Sequence, residues 1–245
     1  MNAPRRPVTL ARAMVITNKN HGLTVETLAR LIDHTLLAPD HTVEDVERAC
    51  REAVQFGFHT VCVAPYDVAR AAKALRGSAV LVGGTVGIPF GYCGLEVKHE
   101  EAARCIEAGA GEVDMVINLV AMKSGRYADV KAEIAAIRKV TTGCCLKVIL
   151  ECCYLTDEEK ARAAELALEA EADFVKTSTG FGSGGATVHD VQLLRQTVGE
   201  RAGVKAAGGI RSFTDLVEML HAGASRIGTS AGVQILQDFQ SREDT

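Results

Sequence analysis

The chain has 245 residues, of which 47% are hydrophobic and 24% charged, and its formal net charge at pH 7 is −4. A chain of this length can bury a sizeable core, and the composition is typical of a globular protein. Basic residues do not cluster among aromatic ones, which argues against nucleic acid as the main partner. Apolar runs stay shorter than a membrane span, so no membrane partner is expected.

The first twenty residues contain four basic residues and no acidic one. Arg12 interrupts the apolar core that a secretory signal needs, and Pro4 and Pro7 disfavour the amphipathic helix of a transit peptide. We therefore interpret residues 1–23 as an N-terminal extension, either mobile or packed against a partner, and we expect a cytoplasmic protein.

From about residue 24, short apolar runs alternate with alanine-rich segments of helical period. The eight runs span residues 31–37, 60–65, 80–87, 112–118, 145–151, 173–179, 204–209 and 225–230. Strands that alternate with helices indicate a parallel sheet, and eight such units fit a (β/α)8 TIM barrel better than a doubly wound sheet. We predict an α/β fold with one barrel domain over residues 24–240, followed by a C-terminal tail over residues 241–245.

Helix starts and ends support these boundaries. Four segments begin with the spacing of a capping box, at Thr42/Asp45, Thr156/Glu159, Thr187/Asp190 and Ser212/Asp215. Glycines stand where several helices are expected to end, at Gly57, Gly109 and Gly223.

The eight cysteines raise the question of disulfides or metal binding. Two pairs are adjacent, at 144–145 and 152–153, and no C-x-x-C spacing occurs. The usual zinc and redox patterns are therefore missing, and we expect no metal site. Cysteines within apolar runs, such as Cys62, are interpreted as small core residues of a protein in a reducing compartment.

Charged residues lie inside four successive predicted strands. They are Asp114, Lys147, Lys176 and Lys205, separated by 33, 29 and 29 residues. Their similar phase predicts that all four point into the barrel at a similar height. Because such an interior is normally filled with aliphatic residues, the set indicates either a functional site or a buried ion-pair network. In the second case Glu151, at the end of the fifth strand, would add a carboxylate.

The composition of this set favours chemistry at carbonyl groups. A lysine near another cation loses its proton more easily, and the neutral amine attacks carbonyls to form a Schiff base. A nearby aspartate can move protons while the imine forms and at carbon. The sequence therefore predicts Schiff-base chemistry in the barrel interior.

The segment VKTSTGFGSGGAT (175–187) contains a G-x-G-x-x-G pattern. It follows the sixth strand rather than the first, and Glu200 is too close to match the ribose carboxylate of a dinucleotide site, so no dinucleotide is expected. Glycine turns also follow the last two strands, where barrel enzymes often bind phosphate through backbone N–H groups. The predicted phosphate donors include Thr179, Gly180 and Ser230, with Arg211 either adding charge or staying solvated. Alternatively the glycines serve only tight turns.

The motifs LIDHTLL, VCVAP, VGIPFG, EVDMVIN, LKVILE, ADFVKTSTGF, VKAAGGIR and RIGTS together resemble the deoxyribose-phosphate aldolase family, in the family's order, between about residues 24 and 232. The resemblance implies a TIM barrel and a class I aldolase that needs neither metal nor cofactor. Such an enzyme reversibly cleaves 2-deoxy-D-ribose 5-phosphate to D-glyceraldehyde 3-phosphate and acetaldehyde. It also implies a homo-oligomer, either a dimer or a tetramer.

The resemblance also implies residue roles. Lys176 would form the Schiff base with Lys205 as its electrostatic partner, Asp114 would shuttle protons with a water, and Lys147 would orient Asp114. Further residues would contact the substrate: Asp33 and Thr35 on the sugar side, Cys62 nearby without an essential role, and Gly208, Gly209, Arg211, Gly228 and Ser230 around the phosphate.

Three departures from the family pattern predict altered rate and phosphate preference rather than different chemistry. Phe181 stands where some members have a basic residue, Ala231 stands where a second serine is common, and the C-terminal tyrosine of some members is missing. Two alternatives stay open: a Schiff-base aldolase for another phosphorylated sugar, and a barrel that binds sugar phosphates without turning them over.

Overall fold

The computed structural model describes residues 23–243, and the predicted N-terminal extension lies outside this range except for Leu23, which is buried. Eight parallel strands form a closed barrel in which neighbours in sequence are neighbours in space, and β8 pairs with β1. Helices alternate with the strands, so the predicted (β/α)8 barrel is confirmed.

Each predicted apolar run contributes one strand or most of one. The strands are β1 Ile32–Leu36, β2 Thr60–Val63, β3 Leu81–Val86, β4 Glu112–Val116, β5 Cys145–Ile149, β6 Phe174–Lys176, β7 Gly203–Ala207 and β8 Arg226–Thr229. The helices are α1 Val25–Ala29, α2 Val43–Phe56, α3 Val68–Ala74, α4 Leu95–Glu107, α5 Leu119–Lys123, α6 Tyr127–Val140, α7 Asp157–Glu169, α8 Val188–Val198, α9 Phe213–His221 and α10 Gly232–Glu243. Helix α10 therefore includes residues 241–243 of the predicted tail. None of the described helices is long and apolar enough to cross a membrane.

Reciprocal capping boxes begin three of the four helices for which they were predicted, α2, α7 and α9. At the start of α8, the Thr187 side chain accepts a hydrogen bond from the backbone N–H of Asp190. The Asp190 carboxylate does not return the bond, and it forms an ion pair with Lys160 at 2.7 Å. At the end of α2, Gly57 takes the left-handed conformation, with φ of 73°.

The apolar core lies between the strands and the surrounding helices. Along β4, Val113 and Met115 point outward into this core, whereas Glu112 and Asp114 point into the barrel. The other strands follow the same alternation of period two. The helices thus pack on an aliphatic surface, and the charged side chains of the strands point into the barrel interior.

Candidate active site

Inward-facing side chains form four layers in the barrel interior. When the register partners are followed from Asp33 once around the barrel, they lead back to β1 at a position eight residues before Asp33. This offset is the shear number, and eight is the value of a TIM barrel. Side chains at one height therefore come from alternate strands. The floor layer is Thr60, Glu112, Phe174 and Arg226; the second layer is Asp33, Gly83, Lys147 and Lys205; the third layer is Cys62, Asp114, Lys176 and Gly228; and the mouth layer is Thr35, Thr85, Ile149 and Ala207.

The four predicted charged residues meet in the second and third layers. The Asp114 carboxylate accepts a hydrogen bond at Oδ1 from Lys147 at 2.8 Å. Its Oδ2 accepts from Lys176 at 2.8 Å and from Lys205 at 2.7 Å. Lys147 and Lys205 lie one layer below Asp114 and Lys176. The four residues therefore occupy two adjacent layers, close to the similar height that was predicted.

Two further carboxylates belong to this cluster. Asp33 accepts hydrogen bonds from Lys205 at 2.5 Å and Arg226 at 2.8 Å, and lies 3.4 Å from Lys147. Glu112 accepts from Lys147 at 2.6 Å. Glu112 and Asp33, rather than Glu151, therefore make the additional contacts to the lysines.

The charges of the cluster do not balance. Three carboxylates, Asp33, Glu112 and Asp114, face four cations, Lys147, Lys176, Lys205 and Arg226. Lys147 has carboxylate oxygens of three residues within 3.4 Å, Lys205 and Arg226 each have two such residues, and Lys176 has Asp114 alone. Lys176 is thus the cation with the fewest anionic partners.

Electrostatic attraction fixes the protonation of the other members. Burial alone would raise the pKa of Asp114, but the ammonium groups of Lys147, Lys176 and Lys205 hold it well below its ordinary value. Burial would lower the pKa of Lys205, but the carboxylates of Asp114 and Asp33 raise it instead. The pKa of Lys147 is raised well above its ordinary value for the same reason.

The remaining sugar-side residues lie in or near the third layer. Thr35 is in the mouth layer, where its hydroxyl donates to the carbonyl of Asp33 at 2.9 Å. Cys62 shares the third layer with Lys176 and Asp114, and burial, followed by the charge of Asp114, raises the pKa of its thiol. Asp33 lies deeper than expected of a sugar-lining residue and is fully engaged with cations.

Some of the predicted phosphate donors lie at the ends of β7 and β8, and another, Thr179, is already bonded within the protein. Gly208 and Gly209 turn the chain after β7 with φ of 91° and 82°. Arg211 and Ser230 are exposed near the ends of β7 and β8. Thr179 donates both its backbone N–H and its hydroxyl to Glu151, so these donors are engaged within the protein.

Glycines of the G-x-G-x-x-G segment allow close packing. A Cβ on Gly185 would lie 2.3 Å from the carbonyl oxygen of Gly208, and one on Gly182 would lie 2.8 Å from Sγ of Cys153. Gly228 has a similar part in the third layer, since a Cβ there would lie 2.9 Å from Cε of Lys205. The positive φ of 98° at Gly180 is the conformation that glycine tolerates best.

A family model for DeoC/LacD family aldolases matches residues 27–240 of the chain. The chain belongs to this family. A deoxyribose-phosphate aldolase from Carboxydothermus hydrogenoformans is 52% identical over 221 residues, which are 89% of this chain and 97% of the relative. One from Thermococcus kodakarensis is 54% identical over 214 residues, covering 86% of this chain and 96% of the relative. The solved tetrameric deoxyribose-phosphate aldolase from Aeropyrum pernix superposes with a TM-score of 0.84 at 37% identity, covering 89% of this chain and 93% of that one.

Two charged residues of the cluster in this DeoC/LacD aldolase, Glu112 and Arg226, were not predicted from the sequence. Glu112 precedes Asp114 by two residues, and Arg226 precedes Gly228 by two, so each follows from the period of two along its strand. All eight cysteines are free. Among residues 23–243, no three His, Cys, Asp or Glu side chains are arranged to hold a metal ion.

Proposed function

We propose that the chain cleaves 2-deoxy-D-ribose 5-phosphate reversibly to D-glyceraldehyde 3-phosphate and acetaldehyde, through a Schiff base on Lys176. The reaction needs neither a metal nor an organic cofactor. The relatives named deoxyribose-phosphate aldolase, at 52% and 54% identity over nearly the whole barrel, support this substrate. The lysines and carboxylates of the barrel interior support this chemistry.

One observation carries the choice of Lys176 as the nucleophile. Within the described cluster, four cations face three carboxylates, and Lys176 has one carboxylate partner where every other cation has at least two. The amine with the fewest carboxylate partners is the least constrained of the four cations, and it shares its layer with Asp114, which can move protons during imine formation.

The reaction follows from this arrangement. Neutral Lys176 attacks the aldehyde carbon of the open-chain sugar, and loss of water gives a protonated imine. The imine draws electrons from the C2–C3 bond, so that loss of the C3 hydroxyl proton expels glyceraldehyde 3-phosphate and leaves an enamine. Protonation of the enamine at C2 and hydrolysis of the imine release acetaldehyde and restore Lys176.

Asp114 moves protons in these steps together with a water, since its Oδ2 lies 2.8 Å from the reacting amine. Lys147 orients Asp114 through Oδ1. Lys205 acts as a fixed positive charge beside Lys176, because its own two carboxylate partners keep it protonated.

The phosphate lies at the turns after β7 and β8, where Gly208, Gly209 and Ser230 offer backbone and hydroxyl donors and Arg211 adds charge. Thr35 and Cys62 lie around the sugar end, and Asp33 lies beneath it, engaged with Lys205 and Arg226. Binding the phosphate away from the cleaved bond positions the chain for attack, a use of remote binding energy.

The cellular setting completes the proposal. The enzyme is a cytoplasmic homo-oligomer, either a dimer or a tetramer, and the tetrameric Aeropyrum pernix relative supports self-association. Eight free cysteines fit a reducing compartment.

Borohydride trapping tests the proposed function. The protein is incubated with 2-deoxyribose 5-phosphate, reduced, digested and mapped by mass spectrometry. We expect one reduced adduct, on Lys176. Its absence despite tight binding of the sugar phosphate would indicate a binding protein, and an adduct on Lys147 or Lys205 would overturn the assigned roles.

A further inference from the structure

The floor layer contains a charged group that the proposed reaction does not use. Glu112 is buried at the N-terminal end of β4 and accepts hydrogen bonds from four side chains. The donors are Lys147 at 2.6 Å, Thr60 at 2.8 Å, His59 at 3.2 Å and Arg226 at 3.3 Å. These contacts join β4 to β2, β5 and β8 at the floor of the cluster.

We propose that Glu112 is a positioning residue for the reaction: it holds Lys147 from below, so that Asp114 keeps its Oδ2 available to Lys176 and Lys205. This inference rests on the proposed function. Glu112 touches neither Lys176 nor the space above it, and it acts only through Lys147.

The contacts of Lys147 show why its lower partner matters. Its ammonium group lies 2.6 Å from Glu112, 2.8 Å from Asp114 and 3.4 Å from Asp33. Both aspartates also accept hydrogen bonds from Lys205. Without Glu112, Lys147 would have only these two shared partners. It would then compete with Lys205 for them and turn the Asp114 carboxylate away from Lys176.

Glu112 also sets the charge of the cluster. Burial alone would raise its pKa, but attraction to Lys147, with His59 and Arg226, holds it well below the ordinary value, so the group stays ionised at neutral pH. The other ionisable groups around it are Asp33, Cys144 and Cys145. A neutral side chain at 112 would leave two carboxylates facing four cations, and ammonium groups would then lose protons at lower pH.

A purely structural role is the alternative, because the same contacts hold four strands together. The helical shell provides a matched control. Glu133 is also buried and ion-paired, with Lys98 at 2.8 Å, but it lies outside the barrel interior. Replacing either glutamate by glutamine removes one buried negative charge, and the amide oxygen that remains attracts the lysine ammonium group less strongly, so both variants lose stability.

The experiment compares Glu112→Gln with Glu133→Gln, using kcat, KM and the pH–rate profile for 2-deoxyribose 5-phosphate, corrected for the folded fraction. For Glu112→Gln we expect kcat to fall about tenfold to a hundredfold, KM to change little, and the acid limb of the profile to move to lower pH. Glu133→Gln should keep the profile of the unmodified enzyme. Equal profiles for both variants would overturn the inference.

If Glu112→Gln does not fold, Glu112→Asp tests the positioning role of Glu112. It keeps the charge but withdraws the carboxylate from Lys147 by one methylene, so we expect a lower kcat with an unmoved acid limb. An unchanged kcat would overturn the inference. Borohydride trapping on the unmodified enzyme separates the two claims: an adduct on Lys176 with unaffected Glu112 variants refutes the positioning role alone, and no adduct on Lys176 refutes both.

Discussion

Two buried lysines, Lys98 in the helical shell and Lys205 in the barrel interior, have opposite electrostatics. In the helical shell, Lys98 pairs with Glu133 one to one, and burial dominates: the pKa of Lys98 is lowered and that of Glu133 is raised. In the barrel interior, Lys205 is equally buried, yet its pKa is raised because two carboxylates contact it. Burial alone therefore does not set protonation, and the number of opposite charges within contact decides it.

Within the interior, the same rule separates Lys176 from its neighbours. Lys147 and Lys205 are held by several carboxylates and serve as fixed charges, whereas Lys176 has Asp114 alone. The shell pair shows that burial lowers the pKa of a lysine that contacts one carboxylate. In the interior, further cations contact the carboxylate partner of Lys176, and the following variants test whether this arrangement produces the chemistry.

The largest expected difference between the two regions is that between the variants Lys176→Met and Lys98→Met. Lys176→Met removes the amine that we propose forms the imine, so kcat/KM should fall at least about a thousandfold. Lys98→Met removes an equally buried lysine from the shell and should lower stability while keeping the activity of the folded protein. Rates of acetaldehyde release check both variants. Comparable losses in the two would mean that the interior lysine has no special chemistry.

Asp114→Asn should give the next largest effect. The variant keeps the shape of the side chain but leaves three ammonium groups without their shared carboxylate. We expect kcat to fall by about 10² to 10⁴ and the free energy of unfolding to fall by about 3–5 kcal/mol. Turnover and urea unfolding measure the two quantities on one sample. A kcat within threefold of the unmodified enzyme would exclude Asp114 as the proton carrier.

Acid should lower the free energy of unfolding, because it protonates Asp33 in the barrel interior. Burial alone would raise the pKa of this group, but Lys205, Lys147 and Arg226 lower it from 3.8 to about 2. A carboxyl group whose pKa is lower in the folded than in the unfolded state stabilises the protein at pH values above its unfolded-state pKa. That stabilisation is lost as the pH falls through the folded-state pKa of about 2. Its size is on the order of 2 kcal/mol.

Urea unfolding between pH 5 and pH 2 checks this contribution of Asp33. The unmodified protein should lose stability more steeply over this interval than Asp33→Asn, which has no carboxyl group to protonate. Parallel curves would show that Asp33 is not held by the cations of the barrel interior.

Phe181→Lys should have the smallest effect, because it adds a charge outside both regions. Phe181 is 40% exposed at the turn after β6, where solvent screens charges. An exposed charge contributes about 0.2–1 kcal/mol, so KM for 2-deoxyribose 5-phosphate should fall up to about fivefold, and less at high salt. The KM for unphosphorylated 2-deoxyribose is the control. An equal change for both sugars would place Phe181 away from the phosphate.

The fold and four of the seven charged residues of the cluster could be predicted from sequence patterns because both depend on repetition. Apolar runs located all eight strands, and a similar phase in successive repeats located Asp114, Lys147, Lys176 and Lys205. Glu112 was missed because no charged residue stands at equal phase in the next repeat. The period of two along β4 indicates that Glu112 points inward, but its contact with Lys147 depends on the register of β4 and β5, which the sequence does not specify.

Local conformation limited the prediction at the mouth of the barrel. Thr179 was expected to donate to phosphate, yet both of its donors go to Glu151. Glu151 reaches it from a left-handed backbone conformation, with φ of 55° and ψ of 63°, that is uncommon for glutamate. A pattern of residue types does not reveal such a conformation.

The identity of the interior lysine that reacts with the sugar tests the central claim most directly. Carbon-13 labelling at Cε, with signals assigned from Lys→Met variants, allows Lys147, Lys176 and Lys205 to be followed in one NMR series before and after borohydride reduction in the presence of 2-deoxyribose 5-phosphate. We expect only the Lys176 signal to move to the position of a secondary amine, while the signals of Lys147 and Lys205 stay those of unmodified ammonium groups. A shifted signal for Lys147 or Lys205, with that of Lys176 unchanged, would contradict the central claim.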